Sequence, residues 1–218
     1  MGNRFESALA VRAEVVAPFY YHGLYARDGS TTHPAVITDT ALVFALRAAL
    51  LGPPSALSIE ARYSEELDRL PWRASLLLGE DNTLSSPVRH TIDVSREGGF
   101  HENMQKNIFS GNFKNTFFVH EVGVGACYYG LLLGPDPFEL LHTGEFVLRV
   151  GVSRMGMVVL SRDDETKSFN LNAATGKLFG RAIPESYRIL DTIRVSQPYS
   201  KAEAIKELKC WRSSRDGP

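Results

Sequence analysis

The chain has no apolar run approaching the roughly 18 residues that cross a bilayer as a helix, so neither a helical span nor a membrane partner is expected. Its only two cysteines, Cys127 and Cys210, lie far apart without metal-ligand spacing. That excludes a disulfide framework and a zinc site, and the expectation is reduced thiols in a cytoplasmic protein. The six histidines, His22, His33, His90, His101, His120 and His142, form no His-Glu-x-x-His or His-x-His pattern. A Gly-x-Ser-x-Gly elbow is also missing, which leaves hydrolase chemistry without an anchor. Gly123-Val124-Gly125 lacks the later glycine of a dinucleotide fingerprint, and Gly176-Lys177-Leu178 has leucine where a P-loop needs a magnesium-binding hydroxyl. No cofactor and no metal are expected. The opening residues Met1-Gly2-Asn3-Arg4-Phe5-Glu6 do not have a signal-peptide profile, and Glu6 stands where myristoylation wants Ser or Thr.

Charge of one sign is scarce as well. A net charge of −1 argues against gripping long nucleic acid by bulk electrostatics. The distribution is less even: residues 149–218 hold 13 Lys and Arg against 8 Asp and Glu, and residues 1–148 hold 11 against 17. This asymmetry fits one face for a polyanion and another for protein partners.

What is present suffices for a sizeable core: 218 residues, 44% hydrophobic, are read as a single domain over 1–218. Phe5 to Val16 alternates as a long first strand that Pro18 ends, and an aromatic loop follows from Phe19 to Gly29. Thr38 is placed to cap a helix over Thr40 to Leu51, which carries one charge, Arg47, and is stopped by Gly52-Pro53-Pro54. So apolar a helix should lie on a sheet and beneath another element. Ile59 to Leu70 reads as partly helical and Trp72 to Leu78 as strand. From Asp81 to Thr116 the composition turns to Ser, Asn, Gly and charge, and is read as a projecting arm. Phe117 to Leu133 reads as strands with a glycine-marked bend, and Gly134-Pro135-Asp136-Pro137 as a turn. Ser161 to Gly180 reads as a polar connection with a turn at Ala174-Thr175-Gly176-Lys177. A last strand is expected at Ile189 to Val195, then a helix from Ser200 to Trp211 capped by Ser200.

The most informative stretch is Gly144 to Leu160, two β-rich runs flanking a glycine-spaced turn with two arginines. Arg149 and Arg154 offer planar forks of donors suited to phosphate, and Gly151 and Gly156 remove bulk that would hold a polyanion away. An ordinary solvated hairpin is the competing reading. Tyr20, Tyr21 and Tyr25 are candidates to stack unpaired bases, and strand-like alternation implies that Tyr20 and Tyr21 cannot both face inward. In the arm, Lys106, Phe113 and Lys114 interleave basic and aromatic groups, offset by Asp93, Glu97 and Glu102. Metal-independent RNA cleavage would need only a general base and a neighbouring donor or cation, such as His101 with Lys106, or His22 with a tyrosine.

The strand, the aromatic loop and Pro34 to Leu46, with Ala41-Leu42 and Ala45-Leu46 in the helix, resemble the opening of the RAMP-type "Cas five" subunits of type I CRISPR Cascade, nearest the type I-D form. The hairpin residues Phe146, Arg149, Val150, Gly151 and Arg154 are similar to that family's later motif, although Val152 stands where a lysine is usual. The resemblance implies an α+β, ferredoxin-like (RRM-like) RAMP core with an antiparallel sheet, and a thumb inserted over about residues 85–116. It implies a non-catalytic cap binding the crRNA 5′ handle in an antiviral ribonucleoprotein complex, beside the backbone and large subunits and near the target DNA's protospacer-adjacent motif. The RNA-binding set would be Tyr20, Tyr21, Arg149, Gly151, Arg154, Gly156, Lys106 and Lys114. An endoribonuclease processing precursor crRNA is the alternative.

Overall fold

The computed structural model describes residues 7–21, 24–26, 29–31, 33–51, 63–93, 114–151 and 155–211. Strand β1 (Ser7–Ala17) runs through the middle of a seven-stranded sheet. Its pleat sends Val11, Ala13 and Val15 to one buried face, while Ala8, Ala10, Arg12 and Glu14 take the other. Two short pieces, β2 (Leu24–Ala26) and β3 (Gly29–Thr31), precede β4 (Val36–Ile37).

Helix α1 (Asp39–Leu50) starts where Thr38 accepts a hydrogen bond from the Ala41 amide, and Asp39 sits in the first turn, where the helix dipole favours an acid. Leu42, Val43 and Leu46 share one buried cluster with Val11, Val15, Leu148 and Val150, so α1 lies on the Val11 face of the sheet. Helix α2 (Tyr63–Arg69) is followed by β5 (Arg73–Ala74) and β6 (Leu77–Leu78). The expected single strand breaks at Ser75 and Leu76. There Ser75 bonds in both directions with Leu131, while the Leu76 amide turns to Asn170 O.

Strands β7 (Val88–Asp93) and β8 (Lys114–His120) pair antiparallel, and β2 and β3 extend them into a four-stranded sheet in which β3 and β8 are parallel. These are the flanks of the stretch read as an arm; residues 94–113 lie outside the described residues. Strand β9 (Cys127–Gly134) then pairs with β1, and Pro137 opens a short helix α3 (Pro137–Leu141) capped by Asp136. Strands β10 (Glu145–Val150) and β11 (Gly156–Arg162) close the hairpin, with β11 against β1.

The sheet order β10-β11-β1-β9-β6-β4, with β5 also on β9, gives the fold class. Strand β1, helix α1, strands β5–β6, strand β9, helix α3 and strand β11 form a βαββαβ succession. In space the fourth strand lies beside the first, the first beside the third and the third beside the second. That is the ferredoxin-like arrangement, antiparallel throughout, with Phe138 of α3 in the same core as α1.

The last third differs from expectation. Ser161 to Gly180 contains β12 (Ser168–Asn172) and α4 (Ala173–Leu178), and the single strand expected at Ile189 to Val195 is a hairpin of β13 (Glu185–Leu190) and β14 (Ile193–Ser200). Gly176, read as part of a turn, is helical; a Cβ there would meet Ile183 Cδ1 at 2.6 Å. Helix α5 (Lys201–Lys209) has the complete capping box between Ser200 and Glu203. Ala204, Leu208 and Trp211 pack with Phe169 and Leu171 onto Ala10, Leu131 and Leu133, covering one end of the sheet face opposite α1. No helix among the described residues is long and apolar enough to cross a membrane.

Candidate nucleic-acid interface

In the β10–β11 hairpin, Val150 pairs with Gly156, Arg149 with Met157, and Val147 with Val159. Leu148 and Val150 are buried toward α1, so the alternate residues Glu145, Val147 and Arg149 stand on the outer face. Arg149 is thereby held exposed, two positions before a turn that begins at Gly151. Arg154 lies outside the described residues.

The two turn glycines face another part of the chain. Gly151 has φ +81°, in the left-handed region, and an added Cβ would sit 2.9 Å from Phe19 Cβ and 3.1 Å from Tyr20 O. At Gly156 an added Cβ would fall 2.2 Å from Phe19 Cβ. The room left by both missing side chains is therefore filled by the segment that follows β1. These glycines leave room for Phe19, which is 1% exposed.

Tyr20 and Tyr21 also depart from expectation. Both turn inward: Tyr20 is 6% exposed, and the Tyr21 hydroxyl is buried beside the Gly151 backbone. Alternation does not apply because β1 ends at Ala17 and Phe19 touches Val122 through an isolated bridge, so the chain is no longer pleated there. Phe19 and Tyr21 meet edge to face at 5.3 Å. Burial pushes the Tyr21 phenol well above its ordinary range, partly opposed by the Gly151 backbone, and burial beside Glu121 raises Tyr20. Tyr20 presents no open face for a base, and Tyr21 packs partly buried against the core.

Lys106, His22 and His101 lie outside the described residues, and Lys114 is fixed only as the first residue of β8. His120 is bound through Nδ1 to Ser85 O at 3.0 Å. Among the described residues no group of three or more His, Cys, Asp or Glu could hold a metal ion.

The arrangement assembles a surface that the sequence reading left out. On the outer face β9, β1, β11 and β10 lie side by side, and register places Tyr129, Arg12, Ser161 and Glu145 in one row. Cys127, Glu14, Val159 and Val147 form the next row. Helix α5 covers only the Ala10 end, so Tyr129 stays 38% and Val147 50% exposed. Arg12 is pinned by Glu14 at 2.6 Å and by the Cys127 sulfur at 3.1 Å, which fixes a guanidinium beside Tyr129. The signal available in sequence was the pair Tyr128-Tyr129 within a strand. One had to face inward, and Tyr128 is wholly buried with its hydroxyl donating to Pro34 O at 2.7 Å.

No protein-family model matches the chain, and no curated protein matches it. Among solved structures, it is similar to a chain of the cryo-EM structure of the Type III-B Cmr-beta bound to cognate target RNA and AMPPnP. The similarity covers 75% of this chain and 67% of that one, with a TM-score of 0.40 and 9% identity.

Proposed function

We propose that the chain is a non-catalytic RNA-binding subunit of a crRNA-guided surveillance complex, of the RAMP-type "Cas five" kind nearest the type I-D form. It would cap the crRNA 5′ handle beside the backbone and large subunits, and near the protospacer-adjacent motif of target DNA. The observation that carries this reading is Arg149, held exposed on the outer face of a strand of a ferredoxin-like sheet at the mouth of the arginine-bearing turn. The motif resemblance in α1 and in the hairpin supports it.

In this reading Arg149 and Arg154 neutralise handle phosphates, and Tyr129 beside Arg12 replaces Tyr20 and Tyr21 as the aromatic available to an unpaired base. Lys106 and Lys114 on the inserted stretch add cationic contacts. With a net charge of −1 the isolated chain holds RNA weakly, and neighbouring subunits supply the rest.

The test is binding of labelled repeat-derived handle RNA across a salt series. Wild type should show a log–log salt slope steeper, by about 1–2, than the Arg149→Ala/Arg154→Ala variant. Equal slopes would remove the hairpin from the interface. Intact RNA after incubation in EDTA is the companion expectation; defined cleavage that a His101→Ala variant loses would replace this reading with an endoribonuclease.

A further inference from the structure

Helix α5 carries charges of both signs, and the fold engages only the acids. Glu203 Oε2 accepts from the Ser200 amide at 2.9 Å and from the Ser200 hydroxyl at 2.6 Å, completing the capping box. Glu207 takes two bonds from the Arg181 guanidinium, at 2.8 and 2.9 Å, and one from Trp211 Nε1 at 3.3 Å. Lys201, Lys206 and Lys209 are all exposed, and among the described residues none of them makes an ion pair. With 3.6 residues per turn, the three lysines fall within an arc of about 140° and are spread over about 12 Å of helix axis, and both glutamates lie outside that arc. The result is a flank of cations that no acid of the helix neutralises.

We propose that this lysine flank of α5 contacts the phosphate backbone of double-stranded DNA without reading its sequence. The apolar side of the helix, Ala204 and Leu208, is buried on the sheet, so α5 has no apolar face to turn toward a bilayer. None of the large apolar or aromatic side chains exposed on the described surface belongs to α5. The flank therefore lacks the buried anchor on which a protein interface depends, and the ring on which an unpaired base would stack. Charge is what it offers, and duplex DNA presents one phosphate charge for about every 1.7 Å of its axis. Ammonium groups on flexible stems act as point charges and tolerate phosphates whose positions vary. With a net charge of −1 the chain adds no long-range attraction, so the contact is short-ranged and sensitive to salt.

This goes beyond the RNA reading and uses none of its residues. The test is fluorescence anisotropy of a labelled DNA duplex of random sequence with the full chain, washed free of nucleic acid, across a series of low salt concentrations. Lys201→Gln/Lys206→Gln/Lys209→Gln should weaken binding and make the log–log salt slope shallower by about 2–3, whereas the corresponding triple arginine variant should keep the wild-type slope. Should Trp211 fluorescence show that the triple glutamine variant has lost the packing of α5, Lys206→Gln/Lys209→Gln makes the same test with a change of about 2. No binding of the duplex by wild type, equal slopes, or an arginine variant as weak as the glutamine one would overturn the proposal. So would a triple glutamine variant that loses single-stranded handle RNA and keeps the duplex, or polyglutamate bound as tightly as the duplex. Handle RNA is judged separately with the Arg149→Ala/Arg154→Ala variant, so failure of one reading leaves the other measurable.

Discussion

The Asn172 amide nitrogen donates to Asp39 Oδ1 at 2.9 Å, joining the first turn of α1 to the N-cap of α4 across 133 positions of sequence. The same nitrogen donates to Thr192 O at 3.0 Å, and Asn172 Oδ1 accepts from the amides of Ala174 and Arg194, each at 3.1 Å. One buried side chain thus closes the β13–β14 turn, caps α4 and satisfies a carboxyl that is 3% exposed.

Asn172→Leu should therefore cost about 2–4 kcal/mol in urea unfolding, because it leaves several buried groups unpaired at once. Asn172→Asp adds a sign test. It sets a second carboxyl beside Asp39, which burial already raises above the ordinary carboxylate range. The folded state then holds a proton that the unfolded state releases, so this variant should lose stability relative to wild type as pH rises from about 4 toward 7. A penalty that does not change with pH would contradict the arrangement.

Arg73 is buried, and its guanidinium gathers backbone carbonyls from two helix ends: Leu70 and Trp72 after α2, and Trp211 after α5, at 2.7–2.8 Å. It also lies 4.8 Å over the Phe179 ring. Arg73→Lys should be nearly as damaging as Arg73→Ala, about 2–4 kcal/mol, since an ammonium cannot span this fork. Trp211, 1% exposed, reports the loss through red-shifted fluorescence before global unfolding.

Gly156→Ala should destabilise the RNA-free protein by about 1–3 kcal/mol, because the new Cβ is forced onto Phe19. Gly151→Ala adds backbone strain at positive φ to a similar crowding. Thermal melting without RNA separates the two roles: unchanged melting would return these glycines to ligand access.

Glu207 is held below its ordinary range chiefly by the hydrogen bonds from Arg181, at 2.8 and 2.9 Å, despite an opposing effect of burial. A depressed carboxyl contributes stability above its unfolded pKa and loses it as pH falls through the folded one. Acid below about pH 4.5 should therefore loosen α5, with a contribution of about 0.5–1 kcal/mol because Arg181 is 43% exposed. Arg181→Ala should flatten that part of the pH profile, as followed by Trp211 fluorescence.

Several elements were legible because their causes are local. Thr38 ahead of an apolar run, and Ser200 three residues before Glu203, give α1 and α5 with their caps; alternation gives β1 and the β10–β11 hairpin. Helix α4 was hidden because Gly176 argues against a helix until Ile183 and Trp211 are seen to need the space. The β13–β14 hairpin was hidden because β13 is mostly exposed and carries little apolar alternation.

By itself, then, the sequence determined the capped helices α1 and α5, the long strand β1, and that Arg149 sits on a strand leading into a glycine-bounded turn, because hydrogen-bonding periodicity and end-capping act within a few residues. Tertiary structure alone decided that Phe19 fills the room at Gly151 and Gly156, that Tyr20 and Tyr21 both turn inward, and that Tyr129 and Arg12 share an open face. Those outcomes depend on which atoms from distant positions arrive opposite a residue, and close packing settles that only when the whole sheet has formed.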